Sequence, residues 1–518
     1  MVKYFLLLCL SFVLLGCGGG ESESNAVTPK PTTPPNVIVV MMDDLGYGDL
    51  SSYGQTHFQT RFLDKMATEG VKFTHAYSTG PWCFTARHGL MTGQNSGEAP
   101  YKGSGFVYHD YYQSLGKLAK SYGYTTGMFG KWGMVAYDAA GNAIDGFPQN
   151  AGFDRFVGHL THRDAHYHYL DSPSTPEQST PEHPYVADVS QKLYEVNYDG
   201  KLSEYGNMPW VHVNSYFVKE AKAFISKNQS KPFFIYLPLT LPHAELAAPK
   251  EYVDRFRDSS GNSVFPETPF LGNKNYQRHV LQPRATYAGM IEFMDDLMRE
   301  LVTHLEEKGL AQNTLVIFTS DNGPHSAGGI QSPEFFNSAG GLTHAKFSLY
   351  EGGIRVPAIA YWPGKLTPKV VDTPVALWDI GRTFEAYVTG RDVENSWKPV
   401  LERGDAAVGE VRDTLYWEFY YNNLQGQDIP ATTQAVRRGD WKLLRLRIGP
   451  DPVKQLRLYN TKWSAVEDES TNLINDPRYC PIAQELQQVM LETHVEADAS
   501  EKPTPGWAFD VMRPLECK

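Results

Sequence analysis

The chain has 518 residues, 41% of them hydrophobic, and after one early tether-like break it reads as a long globular stretch. That organisation excludes a string of small domains and predicts a large body with a smaller tail. A formal net charge of -12 aids solubility and argues against nucleic acid as a partner, so a pocket for an anionic substrate has to be locally positive against an acidic background.

At the start, Lys3 supplies a basic residue, residues 4–13 form an apolar run too short for a membrane span, and Leu14-Leu15-Gly16-Cys17 follows. Residues 1–16 look like a bacterial lipoprotein signal, which would make Cys17 the lipidated first residue of the mature protein and anchor it to a membrane. The alternative is an ordinary cleaved secretory peptide. Either reading exports the protein, to the periplasmic face or the cell surface. Residues 17–35, rich in Gly, Ser, Glu, Thr and Pro, read as a flexible tether. With Cys9 removed and Cys17 acylated, Cys83, Cys480 and Cys517 remain. Cys480 and Cys517 are then a candidate disulfide in an oxidising compartment.

Residues 36–42 form a continuous apolar strand of the kind buried on both faces of a parallel or mixed sheet, and they end in Asp43-Asp44. Residues 60–70 read as helix and 71–76 as strand. A Ser-Thr-Gly-Pro turn then leads to a short helix opening near Cys83 and stopped by Gly93. A helix over 112–123 precedes a strand over 125–129 and Gly130-Lys131-Trp132. A helix over 211–228 precedes a strand over 232–239, beyond which Pro242 fixes His243. Apolar residues at helical spacing from Tyr287 to Leu305 predict an amphipathic helix before the strand 314–320, which ends in Asp321-Asn322. Lys346 lies in a Gly-rich connection between Gly340 and Gly353. Strands over 414–420, within 434–446 and over 456–459, with Gly439-Asp440 as a hairpin turn, precede a closing helix over 481–494. The repeated helix-then-strand rhythm is that of an α/β protein.

In such a sheet the ligand crevice lies beyond the carboxyl ends of the strands, where Asp43, Asp44, Asp321 and Asn322 should meet. They form an all-oxygen set, which favours calcium or magnesium over zinc; calcium is preferred because it tolerates irregular coordination. Cys83 and Arg87 are one helical turn apart on one face, at a helix start that favours anions. Arg87 adds a forked donor suited to tetrahedral oxyanions. Lys131, His243 and Lys346 supply further positive or titratable groups.

In this order, residues 36–49, 83–93, 125–132, 152–169, 231–252, 287–324 and 346–364 carry a resemblance to the formylglycine-dependent (type I) sulfatases of the alkaline-phosphatase-like superfamily, bacterial polysaccharide sulfatases among them. The resemblance implies a large mixed central sheet flanked by helices over 36–400, with a smaller antiparallel sheet plus helix over 401–518. By position it makes Asp43, Asp44, Asp321 and Asn322 the divalent-cation ligands. Cys83 becomes the residue that a maturation enzyme oxidises to formylglycine, with Arg87 holding it, and Lys131, His243 and Lys346 become the positive residues around sulfate. The implied reaction starts from a gem-diol at residue 83: one hydroxyl attacks sulfur, the alcohol leaves with help from His243, and the other hydroxyl expels sulfate.

Two positions depart from the family pattern. Thr85 stands where proline or alanine is usual two residues after the cysteine, and Gly133 stands where a histidine commonly assists breakdown of the sulfated intermediate. Four histidines, at 159, 162, 166 and 168, follow in a segment resembling a substrate-recognition region; the alternatives are direct replacement of the missing base and a hydrogen-bonded loop at the pocket rim, and sugar and anion recognition is preferred. Arg163 and His166 are chosen there to read sugar hydroxyls and anions. Tyr416, Trp417, Glu418 and Tyr420 are either sugar-lining or core. The expected substrate is a sulfated oligosaccharide or polysaccharide, with an algal galactan such as carrageenan preferred. The alternatives are a glycosaminoglycan sulfatase, a phosphate or phosphonate ester hydrolase, and a non-catalytic glycan-binding lipoprotein. The pattern specifies no oligomeric state.

Overall fold

The computed structural model describes residues 34–99, 108–109, 112–137, 143–162, 164–169, 193–205, 211–273, 277–325, 333–419, 432–446, 455–495 and 515–516. Residues 34–518 cluster as one compact unit, apart from 1–33. Arg163 and Tyr420 lie outside the described residues, as do the signal and most of the tether.

The central sheet is ordered Lys369–Val371, Val71–Tyr77, Arg355–Tyr361, Thr314–Ser320, Asn36–Asp43, Phe233–Pro242, Thr125–Lys131, Arg155–His159, Tyr194–Val196 and Leu202–Glu204. Val375–Ala376 pairs alongside Val71–Tyr77. The strands from Thr314–Ser320 through Arg155–His159 run parallel, and Arg355–Tyr361 runs antiparallel to its two neighbours. The sheet is therefore mixed, with five consecutive carboxyl ends on one edge.

Side chains alternate across a strand, and both faces are covered. Ile38, Val40 and Met42 pack with the helices Arg61–Glu69, Val213–Asn228 and Pro283–Glu307, while Val37, Val39 and Met41 pack with Leu115–Ser121 and Ile380–Thr389. A strand buried on both sides has no polar alternation, which is why 36–42 reads as one apolar run. Two helix starts differ from the sequence reading for local reasons. Ser114 accepts from Lys117 N at 3.0 Å and caps the helix at Leu115 rather than 112. Pro283 opens the long helix four residues before Tyr287, and Glu267 accepts from the Arg284 and Ala285 amides at 2.9 Å each. The strand expected to stop at 129 continues through Lys131.

A four-stranded antiparallel sheet, Thr414–Glu418, Thr432–Arg438, Trp441–Leu446 and Leu456–Asn460, packs with the helix Cys480–Thr493. Cys480 is disulfide-bonded; Cys517, its expected partner, lies outside the described residues. Trp417 Nε1 donates to Ser78 O at 2.7 Å, and Tyr416, Trp417 and Glu418 are buried. Their place is in packing, not on a sugar-lined surface.

Lys442 reaches from this small sheet to Glu351 at 2.9 Å and Glu467 at 3.0 Å, with all three side chains buried. Burial pushes Glu467 up to about 7, against the pull of Lys442. A carboxyl raised in the folded state holds a proton that the unfolded chain has lost, so this group's contribution falls as pH rises from about 4.5 to 7. Lys442→Met leaves buried Glu467 without its cation and Glu351 with only Arg355, 3.6 Å away. The expected loss is about 3–5 kcal/mol, read as a lower urea midpoint and larger at pH 8 than at pH 5.

Candidate active site

The sequence-predicted cation and sulfate residues gather at the carboxyl edge of the parallel strands. Asp43 ends its strand, and Asp44 turns the chain away with φ 63°. Asp321 and Asn322 follow the neighbouring strand, and Asp44 N donates to Asp321 Oδ1 at 3.1 Å. Cys83 opens the helix Cys83–Thr92, whose end is closed by Gly93 at φ 74° donating to Gly89 O at 2.8 Å.

Arg87 is fully buried. Its Nη2 donates to Asp321 Oδ2 at 2.9 Å and stands 3.3 Å from Asp43 Oδ2, while Nη1 donates to Lys131 O at 3.0 Å. Lys131 Nζ donates to Asp43 Oδ2 at 2.6 Å. Lys346 Nζ lies 2.6 Å from Asp44 Oδ1 and 2.8 Å from Oδ2. Asn322 Nδ2 donates to Asp44 Oδ1 at 2.7 Å, and His243 Nε2 is 3.4 Å from Asp44 Oδ2. His243 is steadied from behind: His168 Nε2 bonds its carbonyl at 2.9 Å, and Asn214 and Thr240 bond one another at 2.8 Å.

Burial alone would raise Asp43, but Lys131, His243, Arg87 and Lys346 hold it well below the usual carboxylate range. Asp321 is pushed up to about 7 by burial and by Asp43. Burial lowers the basicity of Lys346, and Asp44 with its acidic neighbours more than restores it. Burial pushes the Cys83 thiol up to about 11 despite Lys131 and Lys346. At neutral pH the thiol therefore stays protonated, which is a poor nucleophile.

The charge count shows what the cluster can accept. With all three carboxylates ionised, as a bound cation would hold them, Asp43, Asp44 and Asp321 would offset the three positive charges on Arg87, Lys131 and Lys346. A divalent cation would turn that balance into a surplus of two, as an anionic substrate requires. The donors fit such an ion. Asp43 Oδ1 and Asn322 Oδ1 are buried with no hydrogen-bond partner among the described residues, and ligand atoms of Asp43, Asp44 and His243 lie within 4.8 Å of one another. The buried acidic and histidine cluster can therefore coordinate a divalent metal.

The chain matches the Sulfatase family over residues 35–388. It belongs to the sulfatase family. The match covers more than half of the chain and includes every charged residue of the cluster. The sulfatase is 25% identical to N-acetylgalactosamine-6-sulfatase of Canis lupus familiaris, across 97% of this chain and 93% of the relative. It is 29% identical to N-acetylgalactosamine-6-O-sulfatase of Bacteroides thetaiotaomicron, across 83% and 86% of the two chains. Its fold matches the crystal structure of Ps i-CgsB in complex with k-i-k-neocarrahexaose, with a TM-score of 0.64 at 23% identity over 90% and 96% of the chains. The protein is a sulfuric ester hydrolase of the sulfatase family.

The four histidines at 159, 162, 166 and 168 part company in the sulfatase. His159 is buried against Phe217, with ring centroids 5.6 Å apart, and His168 braces the His243 loop. His166, expected to touch substrate, stacks on His243 at 4.7 Å. His162, which the sequence reading did not single out, brings Nδ1 to 3.3 Å from Cys83 Sγ. The one sequence sign of it is a histidine-rich segment coupled with Gly133. Thr85 donates to Trp82 O at 2.8 Å within the first helical turn.

Proposed function

We propose that this sulfatase hydrolyses sulfate esters of a sulfated carbohydrate, with a 6-sulfated hexosamine of the glycosaminoglycan type as the preferred unit. The observation that carries the reaction is the buried Cys83 at a helix start, set among three carboxylates and three cations. The preference for a hexosamine is supported by two relatives named for N-acetylgalactosamine 6-sulfate that align over most of both chains. It replaces the algal galactan expected from the sequence, for which the carrageenan-fragment complex offers a likeness of fold alone.

In this reading Asp43, Asp44, Asp321 and Asn322 would hold calcium, which would supply Lewis-acid charge to the sulfuryl oxygens. Residue 83, converted to formylglycine, presents the attacking hydroxyl. Arg87 fixes that residue's helix to the acidic cluster, and Lys131 and Lys346 bind the sulfate oxygens. His243 delivers a proton to the departing alcohol. Arg163 and His166 take part in binding the sugar. Residues 1–16 act as a lipoprotein signal, 17–35 as a tether, 36–400 as the catalytic body and 401–518 as its subdomain, which places an exported, lipid-anchored enzyme outside the cytoplasm. Among the described residues no helix is long and apolar enough to cross a membrane.

The test is turnover on matched oligosaccharides. Release of sulfate from N-acetylgalactosamine 6-sulfate units faster than from carrageenan fragments supports the preference. The reverse order returns it to galactans, and hydrolysis of phosphate esters alone defeats the reaction. Chelation should abolish turnover, with calcium restoring it better than magnesium. Calcium at about 100 times its Kd should add about 2.7 kcal/mol of stability, measured as a rise in Tm over the chelated protein.

A further inference from the structure

His162 contacts the proposed nucleophile, and none of the steps above uses it. Its Nδ1 is 3.3 Å from Cys83 Sγ, and its ring lies on Phe84 with centroids 3.4 Å apart and planes at 33°. Nε2 is shielded from solvent and has no hydrogen-bond partner among the described residues. Gly133, at φ 74°, explains how the ring fits: a Cβ there would fall 2.6 Å from His162 Nε2 and 2.9 Å from Cδ2 and Cε1. The volume that a side chain at position 133 would need is the volume His162 fills. A side chain at 133 would require the His162 ring to move.

Asp43 and Asp321 also bring carboxylate oxygens within 4.8 Å of Cys83 Sγ, but both are engaged by Arg87 and assigned to the cation; the remaining groups around residue 83 are poorly suited to accept a proton. Arg87, Lys131 and Lys346 are cations engaged with carboxylates, and His243 faces Asp44. Burial, with Lys131 and Arg87 nearby, holds His162 well below the ordinary imidazole range, so it meets the reaction neutral.

We propose that His162, reaching in from the segment after Arg155–His159 to occupy the space opened by Gly133, is the catalytic base that releases sulfate from residue 83. The assignment rests on the reading of residue 83 as formylglycine. After the alcohol has left, Cβ of that residue carries one hydroxyl and one sulfate ester. Neutral His162 Nδ1 takes the hydroxyl proton. The O–H electron pair becomes the second C–O bond of the aldehyde, and the bond from Cβ to the sulfate oxygen breaks with its pair on oxygen. Sulfate departs as the dianion, the imidazolium balances the extra negative charge, and water then adds to the aldehyde while the proton passes to solvent.

The experiment uses the full chain with residue 83 converted and an aryl sulfate as probe. His162→Ala, and His162→Gln as a variant that keeps more of the volume, should release about one equivalent of phenol in a burst. Steady-state turnover should then fall on the order of 10²–10⁴-fold, the usual span for a lost general base. The residue-83 peptide should carry a sulfate adduct by mass spectrometry. The double variant Gly133→His/His162→Ala puts imidazole back into the same space; histidine is among the residues that tolerate positive φ, and at least a tenfold recovery is expected. In unconverted protein, His162→Ala should also change the alkylation rate of the Cys83 thiol, a readout independent of turnover. Variants that turn over like the parent, or that lose activity with neither burst nor adduct, overturn the role of His162 and leave residue 83 untouched. Sulfate-ester turnover that survives Cys83→Ala defeats the underlying reading, and this proposal with it.

Discussion

Cys83→Ala is expected to reduce sulfate-ester turnover to background while leaving the fold in place. The substitution deletes one sulfur from a buried site at the start of Cys83–Thr92, and the helix keeps its Gly93 closure and its anchor through Arg87. Losing a group of that size from a packed interior costs about 1 kcal/mol, far too little to unfold a body of this size. Activity and stability therefore separate. An aryl sulfate assay should show no release above the uncatalysed rate, while the urea midpoint moves only slightly. A variant that retains turnover would remove residue 83 from the chemistry; a variant that unfolds would make it a packing residue.

Arg87→Met should lose both activity and stability. The guanidinium is wholly buried between Asp321 at 2.9 Å and Asp43 at 3.3 Å, and it also ties Lys131 O at 3.0 Å. Methionine matches much of the volume and supplies no charge, so two carboxylates face one another in the interior. Breaking a buried pair from one side costs about 3–5 kcal/mol, well above the 0–1 kcal/mol of a surface ion pair. Arg87→Lys should recover part of the stability and little of the activity, because an ammonium cannot donate in a fork to two carboxylates and a carbonyl. Calcium should stabilise the methionine variant by more than it stabilises the parent, since it meets the same uncompensated charge. Denaturation midpoints with and without calcium measure this, and an unchanged midpoint for Arg87→Met would contradict the account of the cluster.

Much of this site was legible because its residues sit at ends of elements that announce themselves. Asp43-Asp44 and Asp321-Asn322 close two uninterrupted apolar strands, and burial on both faces is what strips those strands of polar residues. Cys83 and Arg87 share a helix face, and Gly93 marks that helix's end. His162 was harder to find because its position depends on a vacancy in another segment: Gly133 admits the ring, and no local pattern at 162 distinguishes it from His159 in the core or His168 behind the His243 loop. The Lys442, Glu351 and Glu467 trio was hidden for a similar reason, since its members come from three separated segments that meet only when the small sheet packs down. His166 was chosen for direct contact with substrate, and its ring stacks on His243 with centroids 4.7 Å apart at the edge of the cluster.

The most direct test of the central claim is a peptide mass spectrum across Cys83 from full-length protein shown to be active. The account predicts an aldehyde or its hydrate at residue 83, in an amount that tracks turnover from one preparation to the next. An unmodified thiol at that position in fully active protein would contradict it.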